Sequence, residues 1–173
     1  MDTAALEKLF VDYSCDKLKQ LSSRIEDCLG KLTYEQVWTR SGDHDNSVGN
    51  LVLHLCGNVG QWIGTGIGGR ADTRDRDAEF AALGGHQPAE LAAKLRATIT
   101  DATAILLTLD AAGLVETRLI QNYRVTVLEG VYHVVEHFAE HTGQILFATK
   151  LLTGQDLGYY KHLSKAAHGE TVP

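Results

Sequence analysis

Three histidines recur at intervals of four residues late in the chain, at His133, His137 and His141. On a helix this spacing keeps them on one face, because four residues turn the chain by about 400°, only about 40° past a full turn. Gln144 falls on the same face. Neighbouring members of such a set lie about 6 Å apart at the backbone, so two imidazoles can share one ion. The spacing therefore allows a metal site, and the alternative is a polar helix edge that happens to use histidine.

A single helix supplies only two of these three ligands. His133 and His141 are about 12 Å apart along a helix axis, which is too far for bonds of about 2.0–2.1 Å to one zinc ion. His137 belongs to either adjacent pair. Spacing alone leaves open whether His133 or His141 is its partner.

A third ligand has to come from another helix, and His54 is the candidate because it shares a predicted helix face with Leu51, Leu55 and Trp62. A lone histidine in this position is more often a hydrogen-bonded core residue. Together with a histidine pair on a second helix it favours metal binding. The other histidines lie in predicted loops or in the tail: His44, His86, His162 and His168.

The elements that must position these residues are helical. Apolar residues at three- and four-residue intervals predict long helices over residues 3–29, 48 to about 63, 88 to about 109, and 125 to about 152. Ser47 is suited to begin the second helix and Gly154 to end the fourth. Residues 64–86 and 114–124 read as connections, and the tail after about residue 154 as partly irregular. We predict a single all-α domain over residues 1–173, built as a four-helix bundle.

Other motifs have ordinary structural interpretations. The pattern G-x-G-x-x-G at Gly64, Gly66 and Gly69 follows a helix rather than a strand, so it indicates a helix stop and not a dinucleotide site. The aspartate groups lack the glycine and glutamate of a calcium loop; they are Asp43, Asp45, Asp72, Asp75 and Asp77. The three cysteines form no C-x-x-C pair and are expected to be buried; they are Cys15, Cys28 and Cys56.

Composition limits the classes of partner. The chain has 173 residues, a net charge of -6 and 44% hydrophobic residues, which are values typical of a soluble globular domain. An acidic chain without a basic face is unsuited to nucleic acid or an anionic membrane. The start MDTAALEKLF lacks the positive segment of a signal peptide. We therefore expect a cytoplasmic protein that acts on a small molecule.

The stretches SVGNLVLHLCGNVGQWIGTGIGG and YHVVEHFAEHTGQI resemble the two signature segments of the DinB-like superfamily. This superfamily includes YfiT-like metal-dependent hydrolases and thiol-dependent enzymes, and the chain is most similar to a branch of small bacterial proteins of uncharacterised activity. The resemblance implies an up-down-down-up four-helix bundle that holds a divalent ion. Its ligands would be His54, His137 and His141, with His133 and Gln144 beside the site. Thr142 departs from the arginine that many members carry there.

Three neutral imidazoles leave a coordination position for water or substrate, as in catalytic metal sites. We expect a metal-dependent thiol S-transferase or hydrolase, with zinc, nickel or iron as the ion and a low-molecular-weight thiol as one candidate substrate. No catalytic residue is assigned, since Glu136 and Glu140 point away from the histidine face. The alternative is a non-catalytic metal-binding or stress-related module, and a homodimer is expected in either case. A third interpretation is that the histidines only pack.

Overall fold

The structure is a computed structural model that describes residues 3–42 and 44–164. The described chain is mostly helical and carries one small two-stranded antiparallel sheet. The four long helices are α1 (Thr3–Leu29), α3 (Val48–Val59), α5 (Pro88–Leu106) and α7 (Val127–Thr153). Between them lie α2 (Tyr34–Trp38), α4 (Arg76–Ala81), α6 (Ala111–Val115), β1 (Thr117–Ile120) and β2 (Tyr123–Thr126).

Local sequence sets where α3 and α7 begin. The Ser47 hydroxyl accepts a hydrogen bond from the backbone N–H of Asn50, whose side chain accepts one in return from the Ser47 backbone. Thr126 and Glu129 form the same reciprocal cap at the start of α7. These caps satisfy N–H groups that have no partner within the helix. Gly154 ends α7 in the left-handed region, at φ 66°, as the sequence predicted.

The long helices pack on one another: α1 contacts α5 and α7, and α3 contacts the same two helices. Their shared core includes the fully buried side chains of Leu18, Leu55, Leu95 and Phe138. The first turns of α1 depart from this pattern, because Leu6 is 52% and Leu9 60% exposed. Periodicity identifies the apolar face of a helix but does not say how far along it the neighbouring helices reach. The up-down-down-up bundle itself stays a prediction.

The glycine-rich segment after α3 does not stop the helix where the sequence predicted. A π-helix runs over Gly60–Ile67, directly after α3, and the N–H of Gly68 donates to the carbonyl of Ile63 at 2.8 Å. Gly66 permits a close contact, because a Cβ there would lie 2.5 Å from Ile120 Cδ1. The glycines therefore serve the approach of β1 as well as the helix end.

Two predicted connections contain regular structure. The charged stretch after residue 70 includes α4, which Asp75 caps through the backbone N–H of Ala78. Residues 117–126 form a β-hairpin whose turn residues, Gln121 and Asn122, both have positive φ, the requirement of a type I′ turn. These elements are too short for periodicity to reveal. Their caps and turn residues were the available signals.

Helix α5, predicted to run to about residue 109, ends three residues earlier, at Leu106. In the tail, the Tyr159 hydroxyl donates to Asp27 at 2.6 Å, so this residue packs against α1. Tyr160 is 61% exposed.

None of the helices in the described part of the chain is long and apolar enough to cross a membrane.

Candidate metal centre

Three imidazoles from α3 and α7 converge on one point. His137 Nε2 lies 3.1 Å from His54 Nε2 and 3.2 Å from His141 Nε2. The candidate ligand atoms of all three residues lie within 4.8 Å of one another. His54 is buried, and the other two are half-buried. The i, i+4 pair that closes on His54 is therefore His137 with His141.

The outer nitrogens fix the orientation of two of the rings. His54 Nδ1 lies 3.1 Å from Glu79 Oε2, and His141 Nδ1 lies 2.8 Å from Gln144 Oε1. Both partners are acceptors, so each Nδ1 donates its proton outward and each Nε2 presents a lone pair inward. Outward bonds of this kind are typical of histidines that bind metals.

Lone pairs that face each other need a cation or a shared proton between them. A proton on His137 Nε2 can serve either His54 or His141 but not both. His137 Nδ1 is buried and lacks a hydrogen-bond partner in the described part of the chain. One ion would satisfy all three Nε2 atoms at once. The two short separations are close to the edge of about 3.3 Å in a tetrahedron with metal–nitrogen bonds of about 2.0–2.1 Å.

The surroundings of His137 and His141 favour the neutral form of these two rings. Burial, followed by the charges of His141, His54, His133 and Arg74, lowers the pKa of His137 to about 3. Burial also lowers the pKa of His141, and this effect outweighs the hydrogen bond to Gln144. Neutral imidazole is the form that binds metal. The set of nitrogen donors therefore fits a divalent ion.

A buried ion pair, Arg74 with Glu79, contacts the outer nitrogen of His54. Arg74 Nε donates to Glu79 Oε1 and Arg74 Nη2 to Glu79 Oε2, both at 2.8 Å. Arg74 Nη2 also lies 3.1 Å from His54 Nδ1. Glu79 supplies the only carboxylate among these three groups, so we assign a proton to His54 Nδ1, which donates to Glu79 as Arg74 does. Burial acts to raise the pKa of Glu79, and the hydrogen bonds from Arg74 and His54 outweigh it and lower the pKa. Glu79 is therefore an anion held against His54.

The backbone around Glu79 is anchored to the start of α3. Asn50 Nδ2 donates to the carbonyl oxygens of Glu79 and Ala82, each at 2.8 Å. Arg40 Nη2 donates to the carbonyls of Phe80 at 2.6 Å and Ala82 at 2.9 Å. A connection that periodicity classed as a loop is thus fixed by buried side chains, and this anchoring positions the Glu79 carboxylate.

Arg74 and Glu79 were not predicted to belong to the site, since both lie in a charged stretch that resembles a solvated loop. One available signal was Gly57 in the interior of a buried helix. A Cβ at Gly57 would lie 1.8 Å from Glu79 Oε1. A glycine in a helix interior often marks such a close approach.

The remaining predicted residues are not part of the three-histidine cluster. His133 is outside it, with its ring centroid 5.7 Å from that of His137, and its role beside the site stays a prediction. Gln144 contacts His141 directly. Glu136 and Glu140 are exposed, and so are His44 and His86. His162 lies in the 3-10 helix Lys161–Ser164, and His168 and Asp43 lie outside the described residues.

A cavity of about 460 Å³ opens beside the cluster. His54 and His137 line it together with α3, the π-helix, the hairpin and the first half of α7. The other lining residues are Asn58, Trp62, Arg74, Arg76, Gln121, Tyr123, Val125, Glu129 and His133. A ligand in this cavity would meet the two histidines, so the site is open to small molecules.

The chain is thus a mostly helical protein in which three histidines lie close enough to bind a metal beside an open cavity. It belongs to the family described as "Protein of unknown function (DUF1572)", whose model matches residues 5–167. The fold is similar to that in the "Crystal structure of the conserved protein of locus from Enterococcus faecalis", with a TM-score of 0.71 and 17% identity over 83% of this chain and 97% of that one. No curated protein shows significant similarity to the chain.

Proposed function

We propose that this protein is a metal-dependent enzyme that acts on a small molecule, with His54, His137 and His141 as ligands of one divalent ion. The observation that carries the proposal is the convergence of three Nε2 atoms, with separations of 3.1 and 3.2 Å from His137. The DinB-like four-helix bundle is part of the same proposal. It is supported by the mutual packing of α1, α3, α5 and α7.

The chemistry follows from the open side of the site. A divalent ion with three neutral imidazole ligands supplies a Lewis acid that polarises a substrate oxygen, activates water or stabilises a thiolate. His54 and His137 would hold it at the cavity wall. The ring orientations fixed by Glu79 and Gln144 keep the lone pairs directed inward.

The engagement of the nearby carboxylates favours a thiol S-transferase over a hydrolase. Glu79 accepts two hydrogen bonds from Arg74, and Glu129 accepts two from Thr126 in the cap of α7. Neither is available as an unpaired general base. A metal-bound thiol ionises readily without such a base because its free pKa is already about 8.5. The ion can also ionise a bound water, but hydrolysis usually needs a positioned group for the later proton transfer to the leaving group.

The metal site is tested by native mass spectrometry and elemental analysis of the purified protein. We expect one ion per chain, lost on chelation, and a fall in affinity of at least about 100-fold in His137→Ala. The exposed His44 provides the control, and His44→Ala should retain the ion. Wild-type protein without an ion after metal supplementation, or unchanged affinity in His137→Ala, would contradict the proposal.

The reaction class is tested on metal-loaded protein with a panel of electrophiles and esters, each with and without a low-molecular-weight thiol. Consumption of thiol and electrophile in equal amounts, abolished in His137→Ala and retained in His44→Ala, supports the transferase. Thiol-independent ester cleavage with the same dependence on His137 would assign a hydrolase. A retained ion without turnover in either assay would favour a non-catalytic binding module.

A further inference from the structure

The cavity beside the histidines has an aromatic wall. Trp62 lies two turns beyond His54, and its ring centroid is 4.2 Å from that of His133 and 6.5 Å from that of Tyr123. The Trp62 and Tyr123 planes are inclined by only 27°. Tyr123 is nevertheless 63% exposed. A flat face of this kind offers stacking to a planar ligand.

The hairpin that carries Tyr123 is held in place. The Gln121 side-chain amide donates to Gln61 Oε1 on the π-helix. Ile120, at the end of β1, packs directly against Gly66 of the π-helix. A Cβ on Gly66 would lie only 2.5 Å from Ile120 Cδ1. Tyr123 is therefore a positioned wall residue, although most of its side chain is open to solvent.

Two buried polar atoms of the same wall lack partners in the described residues: Trp62 Nε1 and Asn58 Oδ1. Trp62 is only 3% exposed and Asn58 only 4%, and both residues line the cavity. Buried polar groups are normally hydrogen-bonded. One unpartnered donor and one unpartnered acceptor in residues that line the cavity favour a ligand with polar substituents.

The charges of the cavity point to an anionic substituent. Arg74 is neutralised by Glu79. Glu129 keeps its negative charge, but its carboxylate is directed to the cap of α7, where it accepts hydrogen bonds from Thr126. Arg76 lies over the Phe80 ring at 4.9 Å and forms no ion pair with any described residue. Its guanidinium can therefore receive a carboxylate or a similar anion at the cavity mouth.

We infer that this cavity binds a planar ring that carries an anionic group, with the ring against Trp62 and Tyr123 and the anion at Arg76. The inference rests on the proposed function, since it names the substrate class of that site. It adds a specificity role for Trp62, Tyr123 and Arg76, none of which is a metal ligand. The reacting group of such a substrate would face His54 and His137.

The test compares benzoate with cyclohexanecarboxylate, which has the same charge but no flat ring, by calorimetric titration of the wild-type protein. We expect benzoate to bind about tenfold more tightly. Tyr123→Ala should remove most of this preference. Arg76→Gln should weaken benzoate about tenfold and leave the uncharged analogue benzamide unchanged.

Tyr132→Ala is the matched control, because Tyr132 is 62% exposed on α7 and does not line the cavity. It should bind benzoate like the wild type, and circular dichroism checks that every variant folds. Equal affinity of the wild type for the two carboxylates, an unchanged preference in Tyr123→Ala, or an unchanged benzoate affinity in Arg76→Gln overturns the inference. Metal content is scored separately by native mass spectrometry, so an ion retained without benzoate preference removes this inference and leaves the metal site standing.

Discussion

Gly57 lies directly beneath the Glu79 carboxylate, so close that a Cβ on the glycine would be 1.8 Å from Oε1. Glu79 in turn accepts the proton of His54 Nδ1 at 3.1 Å. The absence of a side chain at residue 57 therefore allows the carboxylate to orient a candidate ligand. Helix α3 supplies both the ligand and the space behind it.

Gly57→Ala should weaken metal binding without unfolding the protein. The added methyl group displaces Glu79, and the loss of an outer partner of a ligating histidine typically costs about 10–100-fold in affinity. The measurement is a competition titration with a chelator of known affinity. Gly60→Ala is the control, because a Cβ at Gly60 meets nothing within 4 Å. Equal affinities in the two variants would show that Glu79 does not support the site.

Two histidines that flank His137 should differ in their effect on the ion. His141 Nε2 lies 3.2 Å from His137 Nε2, whereas the His133 ring packs at a tilt against Trp62, with the ring centroids 4.2 Å apart. We expect His141→Asn to lose the ion and His133→Asn to keep it, because only His141 directs a lone pair at the shared point. Elemental analysis of both purified variants checks this, and loss of the ion in His133→Asn alone would reverse the assignment.

The metal-free protein should lose stability as the pH falls below about 6.5. The folded pKa of His137 is lowered to about 3, first by burial and then by neighbouring charges. Below the unfolded pKa the unfolded chain therefore binds a proton that the folded chain resists, and the free energy of unfolding falls until the pH reaches the folded value. Urea unfolding of chelator-treated protein at pH 7, 6 and 5 measures this decline.

The control for the pH experiment is His137→Gln, which lacks the titrating group. Its free energy of unfolding should decline less between pH 7 and pH 5, since the two proteins have all other titrating groups in common. Parallel declines in the two proteins would show that His137 is not the group responsible.

The three cysteines should be unreactive in the folded protein. All are buried, and burial raises the pKa of Cys56 to about 11 and also raises those of Cys15 and Cys28. Because the thiolate is the nucleophile, only about one Cys56 in a thousand is reactive at pH 8. Ellman's reagent should titrate the thiols slowly in buffer and rapidly in denaturant. A Ser41→Cys variant, with an exposed thiol, gives the reference rate.

The helices and the histidine set were predictable because both follow regular repeats. Four-residue spacing placed His137 and His141 on one helical face, and apolar periodicity located α1, α3, α5 and α7. Choosing His141 over His133 needed either the family resemblance or the structure, since both are one turn from His137. The homodimer and the choice of metal stay predictions.

The support of the site could not be predicted in the same way. Glu79 and His54 are 25 residues apart in the chain, and their contact depends on how a connecting segment packs on α3. The composition of that segment is the same as that of a solvated loop. The hairpin was missed for a related reason, since four-residue strands are too short for an alternation to be distinguished from an irregular turn.

The change from α- to π-helical geometry at Gly60 divides one continuous helix between two tasks. His54 lies before the change, and Trp62 lies after it. Deletion of one residue in this segment would restore α-helical winding and rotate Trp62 relative to the cavity, while His54 kept its position. Single-residue insertions or deletions here would change what relatives recognise and leave unchanged the half of the helix that carries His54.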